Sequence, residues 1–135
     1  MRSMGFLGKK INGGATGSTT RALGQAAEAR ALAHLAAAGL ALVERNYRTP
    51  GRGGGEIDLV MREPGGTLVF VEVRSRAGAG FGGAAASIGA TKRRRIILAA
   101  RHYLMRWPAP PPCRFDAVLI EGEQVQWLRA AFDAG

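Results

Sequence analysis

Cysteine occurs once in this chain, at Cys113. A single thiol excludes an internal disulfide and any cysteine-based zinc pattern. Long apolar runs are also absent: nothing approaches the roughly 18 residues that cross a bilayer. The first residues lack the apolar core of a secretory signal. These absences predict a cytoplasmic location with no membrane partner. Histidine is scarce, and His34 and His102 read as helix-surface or core residues rather than metal ligands. Aromatics make up 7% of the chain. Trp107 and Trp127 therefore read as packing residues, since no stacking platform for bases is visible. One further absence is local. No Asp or Glu lies between Glu72 and Asp116, while that interval holds Arg74, Arg76, Lys92, Arg93, Arg94, Arg95, Arg101, Arg106 and Arg114.

The formal net charge is +9 over 135 residues. An Ala-, Gly- and Arg-rich composition raises charge without any selection for binding. Acids flank the basic block on both sides, however, so the pattern favours a polyanion partner. The length suits one core. Residues 1–20 are Gly/Ser/Thr-rich and carry Arg2, Lys9 and Lys10, which predicts a flexible basic arm. Residues 21–135 form the predicted domain.

Apolar spacing predicts a helix over 21–38, capped by Thr19 or Thr20 and stopped by Gly39. Leu32, Leu35 and Ala36 mark its apolar stripe. Strands are expected over 40–47, 55–62 and 67–75, with a turn at Glu63-Pro64-Gly65-Gly66. A Gly-rich loop follows over 77–83, then a helix over 90–106 ending before Pro108. Two strands, 114–120 and 125–128, complete the sheet. The order αβββαββ defines a mixed α/β fold, a central sheet flanked by helices.

Chemistry concentrates in two of these strands, Gly55-Glu56-Ile57-Asp58-Leu59-Val60 and Phe70-Val71-Glu72-Val73-Arg74-Ser75-Arg76. Carboxylates among apolar residues demand a positive partner when buried. Strand alternation puts Glu56, Asp58 and Val60 on one face, and Phe70, Glu72 and Arg74 on one face. A three- or five-residue loop centred on Gly65 sets 58 opposite 72 and 56 opposite 74. Opposed Cβ atoms lie roughly 4.5–5.5 Å apart. Asp58 and Glu72 then repel unless protonated or bridged by a hard cation such as Mg²⁺. A solvated or Arg-paired surface face satisfies the same spacing. Glu28 precedes Leu32 by four and Leu35 by seven, so it lies along the stripe; the spacing alone favours a stripe-edge residue reaching for solvent. Asp116 alternates with Arg114 and reads as a structural ion pair.

These residues resemble a known group. Gly24-x-x-x-Glu28, Arg45-Asn46-Tyr47-Arg48, Gly55-Glu56-Ile57-Asp58-Leu59, Phe70-Val71-Glu72-Val73-Arg74-x-Arg76, Lys92 with Arg95-Ile96, and Arg114-Phe115-Asp116 are similar to the YraN-like family of bacterial proteins. That family is assigned to the restriction-endonuclease-like PD-(D/E)xK superfamily. The resemblance covers about residues 21–132. It implies a nuclease core in which Asp58 and Glu72 bind Mg²⁺ or Mn²⁺, joined by the backbone carbonyl of Val73. In Holliday-junction-resolvase-like members a helix-one Glu, matching Glu28, completes the set.

One position departs from the pattern. The superfamily's Lys is Arg74 here, and Arg stays protonated and cannot serve as a base. It can still clamp a phosphate. Lys92 precedes Ile96, Ala99 and Tyr103 by four, seven and eleven, so it lies on the inward stripe of its helix. It is either a relocated catalytic lysine or a snorkelling side chain beside three surface arginines. Glu56, opposite Arg74, is expected to hold it by an ion pair. Arg48, Arg52, Arg76, Arg93, Arg94 and Arg95 are expected to contact flanking phosphates, which position a substrate without reading its sequence.

The expected function is a metal-dependent endonuclease on structured or single-stranded DNA, in repair, recombination or processing. Two alternatives remain open: a non-catalytic nucleic-acid-binding module on a decayed nuclease fold, and a basic adaptor for an acidic protein. Oligomeric state is open too; junction-cutting nucleases need two active sites, which would call for a homodimer.

Overall fold

The structure, a computed structural model, describes residues 15–76 and 88–134, with side chains from Ala22 onward and that of Arg76 excepted. The predicted arm with Arg2, Lys9 and Lys10, and the predicted loop over 77–83, lie outside the described residues. Seven elements follow in order: α1 (Ala15–Ala37), β1 (Ala41–Arg48), β2 (Glu56–Arg62), β3 (Leu68–Arg76), α2 (Ala90–Leu104), β4 (Cys113–Glu121) and β5 (Gln124–Phe132). The αβββαββ order is the predicted one.

α1 begins at Ala15 rather than at residue 21, so Thr19 and Thr20 lie inside the helix and do not cap it. Helix extension needs only one bond per added residue once the Ala-rich segment has nucleated. Poor helix formers at its start are therefore carried along. Ala27, Ala31 and Leu35 are its buried stripe, while Ala36 is exposed.

The five strands form one sheet in the order β1-β2-β3-β4-β5. β1–β2, β2–β3 and β4–β5 are antiparallel, and β3–β4 is parallel. The parallel step requires a crossover, which α2 supplies. The two helices cover opposite faces. Ala27, Ala31 and Leu35 of α1 pack on Leu59, Met61, Val69, Val71, Val118 and Ile120. Ile96, Ala99, Ala100 and Tyr103 of α2 pack on Ile57, Val60, Leu68, Phe70 and Phe115. β3 and β4, between both layers, read as near-continuous apolar runs for this reason.

The β2–β3 register pairs Leu59 with Val71 and Arg62 with Leu68. The connection is thus a five-residue loop centred on Gly65, closed by the Glu63 amide on the Thr67 carbonyl at 2.9 Å. The ladder ends at Leu59 and Val71, so Asp58 and Glu72 are the next residues along the two strands.

β4 and β5 are locked by a buried polar centre. Arg114 donates Nε to Asp116 Oδ1 at 2.8 Å and Nη2 to Oδ2 at 3.0 Å. Asp116 also accepts Trp127 Nε1 and the Ala130 amide, each at 2.9 Å. Ala130 has φ 52° at a shift in the β4–β5 register, and the Asp116 carboxylate satisfies the amide that the bulge frees. Arg114 reaches Glu63 Oε2 as well, at 2.8 Å. Hydrogen bonding to Asp116 pushes the Arg114 pKa up. Asp116 is the structural ion pair expected from its spacing.

Candidate active site

Asp58 stands at a break in β2. Simple alternation places Glu56, Asp58 and Val60 on one face and Ile57 with Leu59 on the other. Instead Ile57 joins Val60 under α2, while Leu59 faces α1. Regular pairing with β3 also ends here, at Leu59 and Val71. Asp58 Oδ2 accepts the Val73 amide at 2.8 Å, bridging the fork where the strands part. From that fork the carboxylate acts on Glu28 of α1 and on Glu72 of β3.

Glu72 meets it from β3. Its residue is 5% exposed, and its buried Oε1 has no hydrogen-bond partner. Lys92 Nζ lies 3.7 Å and Arg74 Nη1 3.9 Å from the other oxygen, Oε2. Burial, and then the negative charge of Asp58, push the Glu72 pKa up to about 8; Lys92 and Arg74 pull the other way without prevailing. Two cations at almost 4 Å are too distant to offset desolvation.

Glu28 comes from α1. Asn46, in the β1 register position opposite Asp58, carries φ 52°. Asn tolerates this left-handed backbone better than most residues. With its amide turned so that nitrogen faces Glu28, the orientation that satisfies both groups, Asn46 donates to the two Glu28 oxygens at 3.3 Å. Burial raises the Glu28 pKa, helped by Asp58 and Glu56 and opposed by Asn46 and Arg45. Glu28, Asn46 and Arg48 border an open cleft of about 460 Å³. The Asn46 role escaped the sequence reading. Its signal was an Asn in a strand, a residue depleted there unless a bulge or turn needs it.

A hard cation fits part of this arrangement. An unpartnered buried carboxylate oxygen beside a second carboxylate is the donor set such an ion takes. Asp58 and Glu72 supply it directly. Among the described residues, no three acidic, His or Cys side chains close around a single point. Glu28 is therefore near the pair without completing a three-carboxylate cage. The Val73 amide is engaged by Asp58, which fixes the peptide whose carbonyl the resemblance assigns to the metal.

The cationic residues divide into committed and exposed. Arg74 and Lys92 converge on Glu72, and Lys92 lies on the inward stripe with buried Ile96, Ala99 and Tyr103. The predicted Glu56–Arg74 pair does not form. Glu56 Oε1 accepts Arg95 Nη2 at 3.3 Å instead; the change of face at Asp58 breaks the alternation from which the Arg74 pairing was read. Arg95 also donates Nε to the Gly54 carbonyl at 3.3 Å, so it is held by the protein rather than wholly open to solvent. Arg93 and Arg94 are exposed on the first turn of α2, and Arg94 reaches Thr91 Oγ1 at 3.2 Å. Arg52 is exposed in the loop after β1, and Arg48 borders the clefts on both sides of the β1 end. The Arg76 side chain is outside the described residues.

The α2 N-terminus itself is electropositive. Gly89 provides no side-chain cap, and the first turn carries no acid. Lys92 and the neighbouring arginines add positive charge to the positive end of the helix dipole, each unfavourable by about 0.3–1 kcal/mol when exposed. An anion placed there relieves that repulsion.

A carboxylate pair in a strand fork, basic groups on a crossing helix and a mixed five-stranded sheet define a restriction-endonuclease-like α/β protein. The family profile described as "Uncharacterised protein family UPF0102" matches residues 27–120. The chain belongs to this YraN-like, restriction-endonuclease-like family. It is 76% identical over 131 residues to a UPF0102 protein of Acidovorax sp. (strain JS42), covering 97% of this chain and 99% of that one. A UPF0102 protein of Paracidovorax citrulli (strain AAC00-1) is 72% identical over 135 residues, covering 98% and 100%. One from Verminephrobacter eiseniae (strain EF01-2) is 63% identical over 143 aligned residues, covering 99% of each. Among the described residues no helix is long and apolar enough to cross a membrane.

Proposed function

We propose that this protein is a metal-dependent phosphodiesterase, an endonuclease acting on structured or single-stranded DNA. The observation that carries the reading is the unpartnered, buried Glu72 Oε1 beside Asp58, with Lys92 and Arg74 next to them. Nothing in the packing requires a carboxylate pair there, and its burial disfavours the charged form.

Asp58 and Glu72 would hold Mg²⁺ or Mn²⁺, with Glu28 acting from the neighbouring wall. When bound, such an ion neutralises the phosphodiester and lowers the pKa of a coordinated water. Lys92, with its Nζ beside Glu72, would orient the attacking water or the phosphate. Arg74 cannot exchange its proton and serves as a fixed positive charge for the developing negative oxygens. Asn46 holds the Glu28 carboxylate by both oxygens.

Two measurements test this reading. In a calorimetric titration, wild type takes up Mn²⁺, and Asp58→Asn loses that heat. Equal uptake by both proteins would remove Asp58 from the site. In cleavage, Lys92→Ala is expected to cost about 10²-fold or more, the scale of general acid–base assistance, and Lys92→Arg to recover a small part. Unchanged cleavage in Lys92→Ala, with loss in Arg74→Ala, would return the role to Arg74.

A second reading has one observation in its favour. Arg74 replaces the superfamily's Lys, which suits a non-catalytic nucleic-acid-binding module. On that reading Asp58→Ala binds DNA as wild type does and no metal supports cutting.

A further inference from the structure

An open cleft of about 450 Å³ runs along the far side of the β1 end, between the loop leading into β2 and the start of α2. Arg48, Thr49 and the loop glycines form one wall, and Thr91 and Arg95 the other. Thr49 closes the loop: its Oγ1 accepts the Gly55 amide at 2.7 Å, and its own amide donates to the Gly55 carbonyl at 3.0 Å. Gly51 and Gly53 have φ of 89° and 72°. The wall therefore presents backbone without side chains, which lets a ligand approach closely.

The Glu56 carboxylate also borders this cleft. It is bound by Arg95, and Arg48 is its neighbour across the β1–β2 ladder. The ion pair is loose. Its atoms are 3.3 Å apart, and the Arg95 and Glu56 side chains are 47% and 27% exposed. Such exposed pairs hold weakly, whereas Arg bonded to a phosphate gains a charge-assisted fork. The buried Arg114–Asp116 pair, at 2.8 Å with an aspartate fully enclosed, has no comparable freedom.

We propose that this cleft is a phosphate subsite for single-stranded nucleic acid, and that Glu56 is a resident anion which the substrate's phosphate displaces from Arg95. The inference rests on the nucleic-acid part of the reading above. Size supports a single strand: the cleft lies at the low end of small-ligand pockets, about 300–1,000 Å³, which suits one nucleotide unit and not a duplex. Position supports a backbone contact. Glu56 is two residues before Asp58 on β2, roughly 7 Å at the strand rise. A strand cut at the carboxylate pair would thus pass the cleft within roughly one or two nucleotides. Glu56 also acts as a threshold, because a weakly bound anion must be exchanged before Arg95 is gained.

The test is fluorescence anisotropy of labelled oligothymidine across a salt series in EDTA, so that no cleavage enters the readout. Glu56→Gln removes the competing charge and is expected to tighten binding about 3- to 10-fold. Arg95→Ala is expected to weaken it about 10-fold and to lower the salt slope by roughly one. Arg95→Lys, which keeps the charge and loses the fork, falls between. Arg129→Ala serves as the control, since Arg129 stacks on Trp127 in β5. If Glu56→Gln weakens binding, or shifts it no more than Arg129→Ala, the subsite is refuted. A protein that shows these shifts yet never cuts keeps the subsite and loses the nuclease reading. One that cuts with no Glu56 effect does the reverse.

Discussion

Glu72→Gln is expected to stabilise the metal-free protein and to abolish metal-dependent cleavage. The stabilising half follows from linkage. An ordinary Glu titrates near 4.5, and the folded chain holds Glu72 at about 8. Below pH 4.5 the folded and unfolded chains are both protonated and the group has no effect. Between 4.5 and 8 the unfolded chain has lost the proton that the folded chain keeps. Folded stability therefore falls as pH rises through that window, by up to about 1.4 kcal/mol per unit. Above 8 both are ionised and the loss is complete. Gln carries no such charge, so the gap between variant and wild type opens from pH 5 to pH 8. At pH 8 the variant should melt roughly 10–20 °C higher in EDTA. Removing a metal ligand costs several kcal/mol of transition-state stabilisation, about 10³-fold in rate. On the proposed reading Mg²⁺ is expected to narrow this gap, because only wild type would gain from a bound ion. Parallel melting curves across pH would show that Glu72 is not the buried, uncompensated charge described here.

Gly55→Ala is expected to be the most disruptive single-carbon change near the site. A Cβ at Gly55 would stand 2.0 Å from the Arg95 carbonyl oxygen and 2.8 Å from the Ala99 amide nitrogen. Both are backbone atoms of α2, and no rotamer change relieves them. The helix must move away from the sheet, leaving Ile96, Ala99 and Tyr103 imperfectly packed. Overpacking of this kind costs about 1–3 kcal/mol, and more where backbone must shift. The same movement carries Lys92 away from Glu72 and Arg95 away from Glu56. Cleavage should consequently fall by more than the folded fraction does. Gly65→Ala, whose Cβ meets nothing within 4 Å, is the control and should change neither. A Gly55→Ala protein with wild-type melting and activity would mean that α2 tolerates the displacement.

How far the sequence foretold this site depends on the range of the interaction concerned. Contacts governed by local periodicity were legible. The Glu63–Thr67 turn fixed the register, so Asp58 opposite Glu72 could be read from the position of Gly65. Likewise Lys92, Ile96, Ala99 and Tyr103 share a helical stripe whatever that helix packs on. Partner choice between elements was not legible. Alternation on β2 pointed Glu56 at Arg74, but the face changes at Asp58 and Glu56 pairs with Arg95 instead. The left-handed backbone at Asn46 was hidden for a related reason. It sits opposite Asp58, where β2 changes face, and no pattern in β1 announces that. The early start of α1 shows the weakness of propensity alone: Ser and Thr mark a cap only where the chain does not simply continue as helix.

The central claim is that Asp58 and Glu72 form a metal-dependent phosphodiesterase centre. Its most direct test is a cleavage assay with labelled single-stranded, duplex, flap and four-way-junction DNA, in Mg²⁺, in Mn²⁺ and in EDTA. Wild type, Asp58→Ala and Glu72→Ala are compared side by side. The account predicts cutting by wild type in either metal, none in EDTA, and loss in both variants, with the single-stranded or branched substrates preferred. Binding to these DNAs without cutting in any metal, equal for all three proteins, would contradict it.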